Sequence, residues 1–499
     1  MYSKKIIEQD KKVHFETALE MAGFGCYSYY ITALIGFLVI AFVCIVYGIT
    51  IIIPASACEL ETTNAQQGYI AAGPVVGAVL GGIVGGFLGD KFGRRRMLFI
   101  TLLSSSLMNA LASISVNWIM LLILQFIASF CAGSIYTLSM TILSESVAMS
   151  KRNLVVLLVT SIFLLSQGVM AVIAIPIIPL TFSIYLPALD IYWNSWRTLL
   201  LVYSIPNLLG VLGLLFLMES PKYMFSQGYE REAVDIIKAI HRMNRGRSAG
   251  ELKINGLILD AQEINAAAST RNQIVPLFKM PLLKYTIIMS CLFLFNQIGA
   301  FAVWLPTIAN QFVDIVQTGE GTNKSLCAVL SDSMNTPVDP DAVPCSLNML
   351  SLLIVLVVGA LKSVINALLS LVVNRVGRRN MAMIVVIIAS ISGIVTNLIP
   401  NAYASGVFFI IFLVGVLIMG LYTAITLALF PTHLRALAVA VAMTAGRIGT
   451  FVSVQILNML LETNCDVGFY VFSSILASSA IVAAILPDDR RLRKQENTE

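Results

Sequence analysis

Twelve stretches of this chain are apolar for as long as a helix needs to cross a lipid bilayer. They lie near residues 28–53, 68–89, 97–113, 119–142, 153–176, 198–218, 284–311, 349–373, 380–398, 404–428, 434–460 and 467–486. The hydrocarbon core takes about 20 residues of helix. Only 12% of the residues are Asp, Glu, Lys or Arg, roughly half the ~25% of an ordinary soluble domain. Water-facing domains cannot bury that much apolar surface, so the sequence predicts an all-α membrane protein of twelve transmembrane helices, here numbered spans 1 to 12. The first run exceeds the ~7–15-residue apolar core of a signal peptide. It is therefore read as a span behind a retained polar tail that carries Lys4, Lys5, Lys11 and Lys12.

The basic residues test that count. With twelve spans, Arg197 and Lys324 fall on one face and Lys362 and Arg447 fall inside spans, while all the others of the 32 Lys and Arg share the opposite face. A wrong count would scramble this asymmetry. The positive-inside rule makes the basic face cytosolic, with both termini on it. The basic residues form no single patch, so a nucleic-acid partner is not indicated. Between spans 6 and 7, Ala233, Ile236, Ile237, Ile240 and Met243 recur at helical spacing among Arg231, Glu232, Lys238 and Arg242. This predicts an amphipathic helix on that face, within a segment that reads most simply as a linker.

A motif recurs along the chain. Gly86-x-x-x-Asp90-Lys91-x-Gly93-Arg94-Arg95 follows span 2, and Asn374-Arg375-x-Gly377-Arg378-Arg379 follows span 8. Glu145-x6-Arg152 after span 4 has its counterpart in Ala428-x6-Arg435 after span 10, at nearly the same offset. Two motifs repeating together predict two pseudo-symmetric six-helix halves, with a substrate site between them near mid-membrane. The expected division is a cytosolic tail over 1–27, one half over 28–218, a linker with short amphipathic helices over 219–283, the second half over 284–486 with an outer loop at 311–348, and a tail over 487–499.

These motifs, with Glu219-Ser-Pro-Lys after span 6 and Phe430-Pro-Thr-His-Leu-Arg435 before span 11, resemble the major facilitator superfamily of secondary transporters. Within it the chain is similar to the branch of synaptic vesicle glycoprotein 2 and the organic cation and anion transporters. The resemblance implies that Asp90 meets the start of span 11. It also implies a cytosolic gate of Gly86, Asp90, Gly93, Arg94, Arg95, Glu145, Arg152 and Glu219, with Gly377, Arg378 and Arg435 in the second half. There, Asn374 and Ala428 stand where the first half has acids, so Arg378 and Arg435 lack those partners unless Asp488 or Asp489 substitutes. A weaker lock on that half follows.

Lys362 and Arg447 sit mid-span, where a charge costs about 2.5–3.5 kcal/mol on insertion scales. No acid lies at comparable depth. An unpaired basic pair in a cavity favours an anionic or dipolar ligand. Arg447 resembles the span 11 arginine of organic anion transporters, while their span 8 lysine would fall nearer Asn366 than Lys362. Helix bonding or a water pocket is the plainer role for Arg447. Asn296, Gln297, Trp304, Tyr47, Gln125, Tyr136 and Gln167 are further cavity candidates, although each alone is as readily glue between helices. Span 1 carries no mid-membrane carboxylate, so proton coupling has no support there. Gly77, Gly81, Gly85 and Gly89 repeat every four residues, a packing signal.

The outer loop holds Cys327, Cys345 and the sequon at Asn323, placed outside on charge alone, which suggests glycosylation. A Cys327–Cys345 bridge is the first expectation, although Cys58 and Cys465 also lie near that face and other pairings remain open. Cys26, Cys44, Cys131 and Cys291 are expected free. No phosphate-binding loop, nucleophile–base set or metal cluster is seen, so neither an enzyme nor a cofactor is expected. The predicted activity is alternating-access transport of a small organic solute, an anion by the charge argument, across a plasma or vesicle membrane. The alternatives are an organic cation carrier and a non-transporting, partner-binding membrane glycoprotein.

Overall fold

A computed structural model describes residues 12–246, 252, 254, 256–258, 276–318, 323–335, 348–430 and 434–487. Among these, eleven helices are long and apolar enough to cross a membrane: Cys26–Ser56, Asn64–Phe92, Trp118–Ser146, Met149–Ala174, Ser195–Leu214, Leu282–Val313, Met349–Val373, Arg378–Leu398, Ala402–Thr426, Ala438–Leu461 and Cys465–Ala484. The helix Arg94–Ala112 completes the set as span 3. Three arginines in its first turn shorten its apolar stretch, yet Leu98, Leu102, Ser105 and Asn109 are buried where it packs on spans 4 and 6.

Local chemistry sets the helix ends. Span 2 starts with a capping box in which Thr63 and Gln66 exchange side-chain and backbone bonds. Asn117 and Asn401 accept backbone N–H bonds at the starts of spans 4 and 10 (2.8 and 3.0 Å). Spans 2 and 8 both end on glycines with left-handed φ, Gly93 at 100° and Gly377 at 89°. The repeated motif therefore makes the same turn twice, one that disfavours side chains.

Spans 1 to 6 pack together in one group, and spans 7 to 12 in another. The two groups meet where span 5 packs on span 8 and span 2 on span 11. The glycine stripe lies against span 4: a Cβ on Gly77 would sit 2.5 Å from the Phe126 carbonyl oxygen, and one on Gly81 would strike that of Phe130. Ile83, Phe87, Leu371, Ile387 and Ile391 are exposed on the outside of the bundle, as lipid-facing residues must be.

Three spans are interrupted. Span 1 breaks at Tyr47-Gly48, between Cys26–Val46 and Ile49–Ser56. Span 7 breaks at Asn296-Gln297, between Leu282–Phe295 and Ile298–Thr318. Span 10 narrows to a tight turn at Gly415–Leu417.

On the basic face, the helix Phe15–Ala22 buries Phe15, Ala18, Leu19 and Ala22 and packs on the helix Glu230–Arg245, where Ala233, Val234, Ile237 and Ile240 are buried. Its preceding strand, Lys12–His14, pairs in parallel with Gly256–Ile258. The linker helix is amphipathic, as its spacing predicts, but the stripe is rotated: Met243 is half exposed while Val234 and His241 are buried. Asn244 Oδ1 accepts from the backbone N–H groups of Tyr27 and Ser28 (3.0 and 3.2 Å), which caps span 1.

The expected Cys327–Cys345 bridge is corrected. Cys327 bonds Cys465 at the head of span 12, with Cα atoms 5.5 Å apart. The short helix Leu326–Asn335 packs against spans 9, 11 and 12. Docking, rather than nearness in sequence, selects the partner. Cys58 is also disulfide-bonded, Cys345 lies outside the described residues, and Cys26, Cys44, Cys131 and Cys291 are free.

Candidate functional site

The arginine of span 11 is placed by the glycines beside it. A Cβ on Gly446 would lie 3.1 Å from the Phe293 carbonyl oxygen, and one on Gly449 would strike the Gln297 side chain. Span 11 therefore nests closely on span 7. Arg447 reaches into the other half, its Nη1 3.5 Å from where a Cβ on Gly82 of span 2 would be. Tyr47 and Tyr136 lie within its electrostatic reach. Behind them are Phe42, 6.5 Å from Tyr47 and 6.0 Å from Tyr136 between ring centres, and Phe163, 5.4 Å from Tyr136. The guanidinium makes no ion pair or hydrogen bond among the described residues. Its five fixed N–H donors thus lie near an aromatic wall and bond no acceptor among the described residues.

Lys362 of span 8 is buried, and its Nζ donates to Gln167 Oε1 of span 5 at 2.8 Å. Gln167 Nε2 donates in turn to the Ala302 carbonyl of span 7 at 3.5 Å. Lower on the same seam, Ser363 Oγ donates to the Ser161 carbonyl at 3.0 Å, and Asn366 Nδ2 donates to Ser161 Oγ at 3.2 Å. The lysine is thus held by a neutral amide in the opposite half, with no acid among the described residues.

At the break in span 7, Asn296 is buried with both side-chain polar atoms unpartnered, and the Trp304 Nε1 is likewise unpartnered. Gln297 donates to the Leu294 carbonyl and accepts from Ser453 Oγ (2.8 Å), so it ties span 7 to span 11. Gln125 is corrected. It is fully buried, and its Nε2 donates to Asn109 Oδ1 at 2.8 Å. Asn109 Nδ2 in turn bonds the Leu200 carbonyl and Ser204. Gln125 therefore serves to join spans 3, 4 and 6.

On the basic face, Arg94 Nη2 pairs with Asp90 Oδ1 (3.0 Å) and Glu145 Oε1 (3.2 Å), and its guanidinium lies 5.0 Å from the Tyr223 ring centre. Glu145 also accepts from Ser220 Oγ. Glu219 accepts from the backbone N–H groups of Arg94, Arg95 and Ser220 (3.1, 3.1 and 3.0 Å) and so caps span 3. Gly93 leaves it room, since a Cβ there would lie 2.7 Å from the carboxylate. Arg95 donates to the Leu214 and Leu215 carbonyls at the end of span 6. These contacts join the first half to the start of the linker, and none reaches the second half. Arg152 departs from the expected cluster: its Nη2 pairs with Glu16 Oε2 of the tail helix at 2.9 Å, beside Ser150, which donates to Glu20. Asp90 is 74% exposed, facing away from any partner but Arg94 among the described residues. A Cβ on Gly86 would meet open space. Arg378 Nη1 donates to the Ala424 carbonyl at 2.9 Å. The Asn374 and Arg435 side chains, and all of Asp488 and Asp489, lie outside the described residues.

Two clusters lie beyond the sequence expectations. On the far face, buried Arg197 donates to Glu59 Oε1 (2.6 Å) and to the Ser113 and Ser115 carbonyls (2.7 and 2.9 Å). Trp196 Nε1 and Asn194 donate to the other Glu59 oxygen. The available signal was Arg197 itself, one of two basic residues assigned to that face. At the far ends of spans 2 and 11, Gln455 Nε2 donates to the Gly68 carbonyl (2.8 Å) and Asn458 Nδ2 to that of Asn64 (2.7 Å). These two bonds join the halves there, and no motif pointed to them.

Comparison with known proteins agrees with this architecture. The sequence profile of the Major Facilitator Superfamily matches residues 35–454. The human "Putative transporter SVOPL" is 22% identical over 500 residues, covering 98% of this chain and 94% of that protein. The "Synaptic vesicle 2-related protein" of Xenopus laevis is 22% identical over 483 residues, covering 96% and 81%. Among solved structures, a partially occluded inward-open conformation of the E. coli xylose transporter XylE superposes with a TM-score of 0.65 at 16% identity, over 93% of this chain and 99% of that one. At that identity the likeness speaks to the fold alone.

Proposed function

Because the chain belongs to the Major Facilitator Superfamily it is a secondary transporter, and we propose that its cargo is a small organic anion gripped by Arg447 between the two halves. The observation that supports this is the unpaired guanidinium at mid-span, beside Tyr47 and Tyr136, with no carboxylate among the described residues at that depth. A charge kept inside a membrane protein marks a ligand pathway unless it is paired. An anion supplies the missing acceptor and offsets the cost of holding the cation there. Asn296, Trp304 and Lys362, with Gln167, complete the polar lining, while Tyr47, Tyr136 and Phe163 give an apolar face for the organic part.

Alternating access then uses the contacts between halves. The Gln455–Gly68 and Asn458–Asn64 bonds close the far face, and the seam of spans 5 and 8 serves as the pivot. In the opposite state Asp90, now exposed, meets the positive start of span 11 and closes the basic face. Arg94, Glu145 and Glu219 hold Asp90's helix end rigid, with Gly86, Gly93 and Arg95. Gly377, Arg378 and Arg435 are the counterpart elements of the second half. The basic face is the cytosolic one, Asn323 carries a glycan, and the protein resides in a vesicle or plasma membrane, in keeping with the name of its Xenopus relative.

The test is uptake into proteoliposomes of the purified protein, screened with organic anions and cations. Saturable anion uptake supports the reading. Saturable cation uptake instead removes the anion assignment and leaves a carrier. A folded protein with no saturable flux points to the partner-binding alternative.

A further inference from the structure

The connection between spans 5 and 6 is unlike the polar segment between spans 7 and 8 on the same face. Residues 175–194 contain a single ionisable acid or base group, Asp190, apart from the tyrosines, among Ile, Leu, Pro, Phe, Tyr and Trp. They form an antiparallel hairpin, Ile184–Leu186 paired with Ile191–Trp193. A helix-to-helix loop bathed in water has no reason to be this apolar. Nor is the apolar material inside: Leu180, Ile184, Tyr185, Leu189 and Tyr192 are each 40% exposed or more. Tyr185 and Tyr192 are cross-strand partners on one face of the hairpin, ring centres 5.2 Å apart.

The one carboxylate is partly masked. Asp190 sits in the turn with a left-handed φ of 54°, and its Oδ1 accepts from the Tyr185 hydroxyl at 2.8 Å. That bond raises the phenol's pKa and keeps it a donor. The hairpin also continues the lipid-facing surface of its own flanks, where Val172 of span 5 and Leu201 and Ile205 of span 6 are exposed. Exposed Tyr beside apolar side chains at the end of a span is the composition of a bilayer interface, where an amphipathic ring sits with its body in hydrocarbon and its hydroxyl among headgroups. With no Lys or Arg between residues 175 and 194, nothing in the hairpin selects anionic lipid.

We propose that the 184–193 hairpin lies in the far-face lipid interface, with Tyr185 and Tyr192 of its exposed face inserted among uncharged lipid, and anchors the first half to that leaflet. The anchor is independent of what the protein carries.

The test installs a benzophenone side chain at Tyr185 or at Tyr192, and at exposed Lys324 of the polar far-face loop as a control. Each protein is reconstituted in phosphatidylcholine, irradiated, and digested for mass spectrometry. Phospholipid adducts at both hairpin sites, several-fold above the control and unchanged when phosphatidylglycerol is added, are the expected result. Adduct yields no higher than at Lys324, crosslinks to a second copy of the chain, or a yield that requires phosphatidylglycerol each overturn the proposal. Two separate positions guard against one substitution disturbing the hairpin.

Discussion

Gly82 of span 2 and Arg447 of span 11 fit one another: the space that a glycine leaves on one half is bordered by the guanidinium of the other, 3.5 Å from the absent Cβ. The same glycine lies 3.3 Å, by its absent Cβ, from the Gly133 carbonyl oxygen on span 4, so a branched side chain there crowds both span 4 and the arginine. Gly82→Val is expected to displace the guanidinium from Tyr47 and Tyr136. Uptake should fall by about tenfold or more, equivalent to about 1.4 kcal/mol, while the melting temperature of the purified protein changes little. Initial rates in proteoliposomes, with a thermal melt beside them, check both parts.

Glu219 is a cap before it is anything else. It receives three backbone N–H groups where span 6 ends and span 3 begins. Glu219→Gln keeps the shape but loses the charge and one acceptor oxygen. Leaving a helix-start donor without its partner costs about 1–3 kcal/mol. The expected outcome is a lowered melting temperature in detergent, with Glu145→Gln producing a smaller change because Arg94 keeps Asp90.

Arg197 and Glu59 should behave as a unit. Arg197 is 1% exposed by side chain and Glu59 21%. Removing one partner of a buried pair costs about 3–5 kcal/mol when burial is complete, and the partial exposure of Glu59 lowers that figure. Glu59→Ala should destabilise more than the double variant Glu59→Ala/Arg197→Met, since the double variant leaves no buried charge behind. A double-mutant cycle of thermal stability measures this; additive effects would contradict it.

The membrane fold was legible because lipid imposes long apolar runs and because the basic residues sort by face. Lys362 and Arg447 stood out for the same reason, as charges in otherwise apolar helices. What was hidden depended on direction and distance. Gln125 and Tyr136 lie on the same helix, span 4, which is apolar nearly all round, so helical spacing does not say which one is taken up in bonds between helices. Only the Asn109 partner on span 3 does. Arg152 follows Glu145 so closely that a local pair is the natural reading. Its partner is Glu16, 136 positions away, because the tail helix folds back over the start of span 5. Cys327 and Cys465, 138 positions apart, are joined by docking in the same way. The bonds of Gln455 and Asn458 end on backbone carbonyls, which carry no sequence signature at all.

The central claim is that Arg447 holds the anion. The most direct measurement is saturable uptake, in proteoliposomes, of an organic anion found in the screen, by the wild type, Arg447→Lys and Arg447→Ala, each checked for wild-type thermal stability. Near-complete loss of uptake is expected in Arg447→Ala and partial retention in Arg447→Lys, which keeps the charge but not the planar fork of donors. Undiminished, saturable anion uptake by folded Arg447→Ala would contradict it.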